Sequence, residues 1–323
     1  MRFVFVMDPM ERILADKDTT FAFQRAAQAR GHLCFHALPR DLFVEGGEVC
    51  ARVREVTVSD TAPHFEHGEA FEVRLADVEA VFIRKDPPFD VGYLYATLML
   101  ERARDRTVIM NDPRGLRDAN EKLYGLHFAR HMPKTIVTAR RMHILRFLEA
   151  VGGRAVIKPL NGAGGAGVLM LNEGDKNVPG IIDMQTREES ELVMVQEFLP
   201  KVTEGDKRVL LLDGQVLGAI NRIARSEDFR SNIHVGGRVE PCEVTEREKA
   251  IIVDIAPRLR ADGLVFVGLD FIDGRISEIN VTSPTGIQEM SRHHGTDLAV
   301  RVIRWVEHRA NDLRPSLGSI PVP

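Results

Sequence analysis

Residues 268–280 read GLDFIDGRISEIN and have the pattern of a β-hairpin that carries polar side chains. The Asp-Gly dipeptide at its centre is a strong signal for a tight turn between two strands. On the second strand, Glu278 and Asn280 are two residues apart and therefore share a face. Asp270 lies on that face only if the turn contains an odd number of residues or one strand has a β-bulge. Carboxylate and amide oxygens suit Mg²⁺, so the hairpin predicts a metal site, against the alternative of a solvated polar face.

A glycine-rich segment, KPLNGAGGAG, occupies residues 158–167 and contains the spacing G-x-G-x-x-G. That spacing alone suggests a nicotinamide oxidoreductase, which requires a helix directly after the last glycine. Residues 168–171 are instead apolar and β-prone, so we predict a flap between antiparallel strands whose N–H groups fold over phosphates. A merely mobile hairpin is the alternative. Lys158 and Lys122 flank the flap and offer two ammonium groups to phosphate oxygens. The alternative for each lysine taken alone is that it faces solvent.

Two further segments suit a nucleotide and its reaction. Residues 195–200, VQEFLP, end a strand with backbone groups for an adenine edge and an apolar wall for its face. Residues 204–208 then add acids for a ribose and an arginine that enters the next strand. Residues 221–238 contain four arginines, which predicts either a clamp for anions or a solvated loop.

Composition excludes several classes of protein. The chain has 323 residues, with 43 Lys and Arg against 47 Asp and Glu, and a formal net charge of −4. No global basic field is therefore available to hold nucleic acid. No apolar run approaches the ~20 residues that span a bilayer, so we expect no membrane association. The cysteines at positions 34, 50 and 242 are far apart, which argues against disulfides or a zinc knuckle and favours the cytoplasm.

The first third of the chain alternates strand-like and helix-like segments, which predicts a parallel sheet with helices on both faces. Within it, residues 48–75 alternate with a period of two and predict a hairpin insertion. Further on, we predict a helix over residues 117–130 and another from Thr138, as its N-cap, to Ala150. Strands predominate after Arg208.

These residues together resemble the bacterial glutathione synthetases of the ATP-grasp superfamily. The most specific segments are RKDPPFD at residues 84–90 and EINVTSPTG at residues 278–286. The others are VMDP at 6–9, KDTT at 17–20, YAT at 95–97, NDP at 111–113, RDANEK at 117–122, the glycine-rich segment from 158, GDKRV at 205–209 and VGLD at 267–270. The resemblance therefore covers nearly the whole chain.

The resemblance implies an ATP-grasp fold of the α/β and α+β classes, with an N-terminal Rossmann-like (pre-ATP-grasp) parallel-sheet domain. It divides the chain into a substrate domain (residues 1–118), a central ATP-grasp lobe with the glycine flap (119–200), a C-terminal ATP-grasp lobe with the metal site (201–314) and a loose tail (315–323).

The matched motifs also imply roles for single residues. ATP would be bound by Lys122, Lys158, Gly162, Gly164, Gly165, Gln196, Glu197, Phe198, Leu199 and Asp206. Mg²⁺, or alternatively Mn²⁺, would be bound by Asp270, Glu278 and Asn280. The expected catalytic arginines are Arg208, Arg222 and Arg230, and the expected substrate-binding residues are Asp8, Asn232, Ser283 and Thr285.

The implied reaction joins γ-glutamylcysteine to glycine through an acyl phosphate, in the cytoplasm and in a homo-oligomer. One segment departs from the family pattern. The family's mobile loop usually reads Arg-x-Pro-x-x-Gly, whereas residues 222–227 read RIARSE. A related carboxylate–amine ligase with another acceptor or acyl donor is therefore the main alternative, and a non-catalytic nucleotide-binding module is a distant one.

Overall fold

The computed structural model describes residues 1–162, 164–223 and 238–313, and the tail expected at 315–323 lies outside them. The described residues form three sheets. The first contains β1 (Arg2–Met7), β2 (Leu33–Ala37), β3 (Leu42–Glu45), β4 (Glu48–Val58), β5 (Phe65–Arg74), β6 (Ala80–Arg84) and β7 (Val108–Met110). Strands β2, β1, β6 and β7 run parallel in that order, while β3, β4 and β5 pair antiparallel at one side. The β4–β5 pair confirms the predicted hairpin insertion.

Strand β1 is central because both of its faces are apolar. Phe3 and Phe5 pack into one hydrophobic cluster, whereas Val4 and Val6 pack into the other. A strand that is buried on both sides reads as a continuous apolar run, as parallel strands usually do. The helices of this region are α1 (Thr19–Ala29), α2 (Val91–Leu100) and α3 (Pro113–Asp118).

The predicted helix over residues 117–130 is wrong. Helix α3 ends at Asp118, and Tyr124–His131 forms a 3₁₀ helix that is interrupted at Phe128. Between them the Asn120 side chain accepts hydrogen bonds from the N–H groups of Lys122 and Leu123, both at 3.1 Å. Such a local side-chain acceptor competes with helical hydrogen bonding, so Lys122 lies in a turn.

The second sheet contains β8 (Thr135–Thr138), β9 (Arg154–Pro159), β10 (Leu169–Asn172) and β11 (Val193–Glu197), all antiparallel in the order β10-β9-β11-β8. Helices α4 (Arg141–Ala150) and α5 (Val178–Thr186) cover one face of it. The prediction that Thr138 caps α4 is wrong. Thr138 ends β8, and its hydroxyl accepts from the Arg140 N–H at 3.0 Å, so α4 begins later.

The third sheet contains β12 (Asp206–Leu212), β13 (Gln215–Ile223), β14 (Arg238–Pro241), β15 (Phe266–Ile272) and β16 (Arg275–Asn280), antiparallel in the order β14-β13-β12-β15-β16. Helices α6 (Glu246–Ala261), α7 (Ile287–His294) and α8 (Leu298–Leu313) complete this part. Helix α8 returns to pack on α1, where Arg30 and Glu307 form an ion pair of 2.7 Å.

Short 3₁₀ helices lie at Met10–Arg12, Pro39–Asp41, Leu75–Asp77, Glu101–Ala103 and Pro200–Glu204. Within the described ranges, no helix combines the length and the apolar character that crossing a membrane requires. The parallel first sheet and the two antiparallel sheets together give the mixed α/β and α+β architecture that the sequence predicts.

Candidate active site

The β15–β16 hairpin turns at Asp273-Gly274, where both residues have positive φ, 51° and 64°. The two-residue turn alone puts Glu278 on the wrong face, but the register shifts after Asp270. This bulge leaves Ser277 as the extra residue, and its hydroxyl donates to the Asp270 carbonyl at 3.2 Å. Asp270 therefore lies directly opposite Glu278, and the alternative with a bulge is the correct one.

The bulge completes a row of charged side chains across the third sheet. Arg222 lies opposite Asp206, and Arg208 lies opposite Asp270. Because cross-strand partners on one face are close, their side chains meet directly. Arg208 donates to both carboxylate oxygens of Asp270, one of them at 3.0 Å, while Arg222 contacts the same carboxylate at 3.0 Å and also donates to Asp206.

Both carboxyls of this row are displaced from their ordinary pKa values, in opposite directions. Burial raises the pKa of Asp206 to about 6, because the charge of Asp270 adds to burial and Arg222 only partly compensates. Burial acts in the same sense on Asp270, but the guanidiniums of Arg208 and Arg222 outweigh it and lower its pKa to about 2. Asp270 is therefore the firmly ionised centre of the row.

The two lysines lie across from this row. On β9, Ala155 and Ile157 pack into the core of the second sheet, so the alternating Lys158 faces the other way. Its ammonium donates to Gln196 Oε1 at 2.6 Å. The Lys122 ammonium lies 3.2 Å from Glu278 and also donates to the Gly162 carbonyl. Lys122 thus bridges the glycine flap and the β15–β16 hairpin.

A cavity of about 140 Å³ separates the second and third sheets. Among the residues named from the sequence, its lining includes Lys122, Lys158, Gly162, Gly164, Gly165, Gln196, Glu197, Phe198, Leu199, Asp206, Arg222, Asp270 and Glu278. The structure therefore brings together the residues expected at ATP and most of those expected at the metal. At one end of the cavity, the Arg154 guanidinium lies 4.2 Å from the centre of the Phe198 ring.

The glycine flap joins β9 to β10, and the segment after it is a strand and not a helix. The nicotinamide interpretation of the G-x-G-x-x-G spacing is therefore wrong. Gly164, Gly165 and Gly167 have φ values of 63°, 78° and 72°, which residues with a Cβ rarely adopt. At Gly162 a Cβ would lie 2.8 Å from the Pro159 ring, so the chain passes too closely there for a larger residue.

The residues expected to bind the other substrates fall into three groups. Asp8 lies outside the cavity lining, at the carboxyl end of β1, where it accepts from the Asp86 N–H at 2.9 Å. Ser283 and Thr285 follow β16, and the Thr285 carbonyl accepts from Arg208 at 3.3 Å. Asn232 lies outside the described residues, as do the expected catalytic Arg230 and the segment after Ile223 that departs from the family pattern.

The donor set of the hairpin fits a hard divalent cation. Glu278 lines the cavity, Asp270 faces it across the hairpin, and the Asn280 amide lies 3.2 Å from Asp270 Oδ2. The described ranges contain no cluster of three or more His, Cys, Asp or Glu side chains that could hold a metal, so the hairpin offers two carboxylates and one amide instead. Two carboxylates and an amide oxygen are ligands typical of Mg²⁺ and Mn²⁺.

Sequence reasoning missed Glu121. This buried carboxylate accepts from the N–H groups of Val281 and Thr282 and from the Thr282 hydroxyl, at 2.8 to 3.0 Å. Burial and the charge of Glu278 raise its pKa. Glu121 ties the turn that carries Lys122 to the residues that follow Asn280. In the sequence Glu121 is notable only because it directly precedes Lys122, and that position does not reveal its partners at residues 281 and 282.

Comparison with known proteins shows the family of the chain. The family model described as "Prokaryotic glutathione synthetase, N-terminal domain" matches residues 1–117, and "Prokaryotic glutathione synthetase, ATP-grasp domain" matches residues 121–295. A glutathione synthetase from Synechocystis sp. is 44% identical over 318 residues, which is 95% of this chain and 99% of that protein. Another, from Mesorhizobium japonicum, is 42% identical over 91% of this chain and 94% of its own length.

Solved structures show the same fold at low sequence identity. D-cycloserine synthetase DcsG aligns with a TM-score of 0.66 and 16% identity over 96% of this chain and 99% of its own. A RimK domain protein of the ATP-grasp type from Sphaerobacter thermophilus aligns with a TM-score of 0.61 and 15% identity over 95% and 99% of the two chains. The family matches, the close relatives and the shared ATP-grasp fold establish that this chain belongs to the prokaryotic glutathione synthetase family.

Proposed function

We propose that the chain is an ATP-dependent ligase that joins γ-glutamylcysteine to glycine and releases glutathione, ADP and phosphate. The observation that carries this proposal is the cavity in which Lys122, Lys158 and the β15–β16 acids meet, in a chain that matches the family from residue 1 to 295. A related ligase with another acceptor is less favoured, because relatives over the whole length carry the name glutathione synthetase.

ATP would occupy the cavity with its phosphates towards the two ammonium groups. Lys122 and Lys158 would pair with phosphate oxygens, and the N–H groups of the flap at Gly162, Gly164 and Gly165 would close over them. At the other end, the segment Gln196–Leu199 would hold the adenine between backbone groups and the Phe198 ring. Asp206 also lines the cavity and would face the ribose or the triphosphate.

The metal would be Mg²⁺, with Mn²⁺ as an alternative, held by Asp270, Glu278 and Asn280. A divalent ion bound there supplies charge neutralisation for the triphosphate. For the side chains, the consequence is an exchange of partners. Glu278, which contacts Lys122 at 3.2 Å, would turn to the metal, and the Lys122 ammonium would be available to a phosphate oxygen.

The chemistry would proceed in two steps. The cysteinyl carboxylate of the dipeptide attacks the γ-phosphate in line, which gives an acyl phosphate and ADP. The glycine amine then attacks the acyl carbon, and phosphate leaves with the original carboxylate oxygen. This path divides one difficult condensation into two easier steps.

Positive side chains are needed because the first step joins two anions. Two unit charges about 4 Å apart repel by about 4 kcal/mol at an effective dielectric constant of about 20. Arg208, Arg222 and Arg230 would stabilise the charge that spreads over the transferring phosphoryl group. The flap and the segment with Arg230 would exclude water, which otherwise hydrolyses the acyl phosphate.

The small-molecule substrates would be held by Asp8, Asn232, Ser283 and Thr285. We further propose the domain division at residues 118, 200 and 314, a homo-oligomer and a cytoplasmic location. The three free cysteines are consistent with a reducing compartment.

A labelled-substrate experiment tests the reaction. The chain is incubated with ATP, Mg²⁺, glycine and γ-glutamylcysteine that carries ¹⁸O in its cysteinyl carboxylate. We expect glutathione and ADP in equal amounts and one ¹⁸O atom in the released phosphate, with no product from Glu278→Ala.

Phosphate without ¹⁸O would contradict the acyl-phosphate path. Turnover with another amine, but none with glycine, would contradict the acceptor and favour the related ligase.

A further inference from the structure

Arg84 ends β6 and is a buried charge that contacts Thr20 and the loop after β16. Its side chain is almost inaccessible, with 4% of the residue exposed. The guanidinium donates through Nε to the Thr20 hydroxyl and through Nη2 to the Pro284 carbonyl, both at 3.0 Å. It lies over the rings of both Phe23 and Phe266, 5.6 and 5.5 Å from their centres.

This guanidinium forms no ion pair with any residue in the described part of the chain. Burial lowers its pKa, and the more distant charges of Asp18 and Asp86 only oppose that effect. A buried charge without a paired carboxylate is unfavourable unless its hydrogen bonds are made. An apolar residue of similar size would fill this space without the desolvation of a charge. What an arginine adds here is therefore its two donated hydrogen bonds, to Thr20 and to Pro284.

Those contacts fix the segment Ser283–Thr285, which we name the 283–285 loop. The Pro284 carbonyl accepts from Arg84, and the Ser283 hydroxyl donates back to the Arg84 carbonyl at 3.5 Å. The Thr285 carbonyl accepts from Arg208, whose other donors hold Asp270. The loop is thus held on one side by the first sheet and on the other by the charged row of the third sheet.

On the opposite side, the residues that follow Arg84 hold Asp8. The Lys85 ammonium lies 3.3 Å from the Asp8 carboxylate, and the Asp86 N–H donates to it at 2.9 Å. Arg84 therefore stands between Asp8 and the 283–285 loop. It is absent from the lining of the nucleotide cavity.

We propose that Arg84 is a positioning residue for the acyl-donor substrate: it fixes the 283–285 loop against the end of the first sheet that carries Asp8. This inference rests on the proposed function, which gives Asp8, Ser283 and Thr285 their substrate roles. Because Arg84 does not line the nucleotide cavity, a displacement of this loop should change the binding of the dipeptide much more than that of ATP.

Steady-state kinetics of Arg84→Met, Arg84→Lys and the control Thr20→Val test the proposal. Arg84→Met should raise the KM for γ-glutamylcysteine roughly ten- to hundredfold, because small displacements of positioning groups have effects of this size. Affinity for an ATP analogue, measured by calorimetry, should change less than about twofold. Arg84→Lys keeps a hydrogen-bond donor, so its KM for γ-glutamylcysteine should lie between those of the wild type and Arg84→Met. Thr20→Val removes only the Nε acceptor and should leave the KM within about twofold.

An equal rise in KM for all substrates, or an unchanged KM for the dipeptide, would overturn the proposal. If Arg84→Met does not fold, hydrogen exchange on Arg84→Lys decides. Exchange should accelerate at residues 282–287 and stay unchanged in β9 and β11, whereas uniform or unaltered exchange would contradict the assignment. Failure of the proposed function is distinguishable, because then the wild-type chain makes no glutathione while the exchange result still reports on the loop.

Discussion

The two walls of the candidate site carry charge in different ways. In the third sheet, Arg208 and Arg222 are each paired with carboxylates, so the opposite charges of that row balance. In the second sheet, Lys158 contacts only the neutral Gln196 amide among the partners that the described residues provide. Burial lowers its pKa, which shows that the charged form is disfavoured there.

This contrast separates stability from ligand binding. The carboxylate–guanidinium row is already paired before any ligand arrives, so the loss of one member leaves a buried charge uncompensated and should destabilise the fold. We call the second-sheet wall with Lys158 the lysine wall. Burial disfavours its ammonium in the free protein, and a bound anion should compensate that charge. Substitutions on the two walls should therefore have opposite effects on stability, although both lower activity.

Asp270→Asn should have the largest effect. It takes from the buried Arg208 its carboxylate partner and from Arg222 one of two, and breaking a buried ion pair costs about 3–5 kcal/mol of unfolding free energy. We expect kcat/KM to fall by roughly 10³-fold, since a proposed metal ligand is lost as well. Urea unfolding and steady-state assays measure both quantities.

Asp273→Asn is the matched control on the same hairpin. Asp273 pairs with Lys201 at 2.6 Å, but both side chains are exposed, so the change should cost less than about 1 kcal/mol and leave turnover intact. Equal losses of stability in the two variants would mean that the buried row is not what stabilises the third sheet.

Lys158→Met should cause the second-largest loss of activity. Unlike Asp270→Asn, it should make the free protein more stable. Loss of one charged donor at a phosphate lowers kcat/KM for ATP by roughly 10²-fold. The unfolding free energy of the free protein should rise, because a disfavoured ammonium is replaced by an apolar chain. Lys176→Met, an exposed lysine of the same region, should change neither quantity. A Lys158→Met protein that is less stable than the wild type would remove the contrast between the walls.

Glu121 joins the two walls, and its variants should have smaller effects. Glu121→Ala leaves three donors of residues 281 and 282 unsatisfied, which costs about 1–3 kcal/mol. We expect an accompanying fall in kcat/KM of about tenfold. Glu121→Gln keeps an acceptor and removes the repulsion from Glu278, so it should unfold no more easily than the wild type. If the two variants behave alike, the charge and not the hydrogen bonding is what matters.

The sequence predicts single elements of the site better than their pairing. The β15–β16 hairpin follows from its Asp-Gly turn, and the flap from the β-prone residues after Gly167. The sequence leaves two options for the hairpin, an odd loop count or a β-bulge, because the turn sequence does not determine which residue is left unpaired. The contacts of Arg208 with Asp270 join residues 62 apart, and they depend on β12 lying beside β15, which no local pattern encodes.

The wrong helix assignments have a common physical origin. Asn120 and Thr138 both use their side chains as acceptors for N–H groups two residues ahead. Propensity favours a helix across residues 117–130, but this local competition ends it. Glu121 escapes prediction for another reason. Its three donors come from residues 160 and 161 positions away, so its importance is visible only in the folded chain.

The pH dependence of stability gives the smallest and most specific test of the contrast. Burial lowers the pKa of Lys158, Glu278 opposes this and Lys122 reinforces it. A lysine with a lowered folded-state pKa contributes stability above its ordinary pKa of about 10.4, and this contribution is lost as the pH falls through the lowered value. The stability advantage of Lys158→Met should therefore be largest near neutral pH and shrink as the pH rises towards about 10.4. Urea unfolding of both proteins without nucleotide measures it. If the stability difference between Lys158→Met and the wild type does not change with pH, other charges already compensate the Lys158 ammonium in the free protein. The lysine wall would then differ from the carboxylate–guanidinium row only in which residues are the partners.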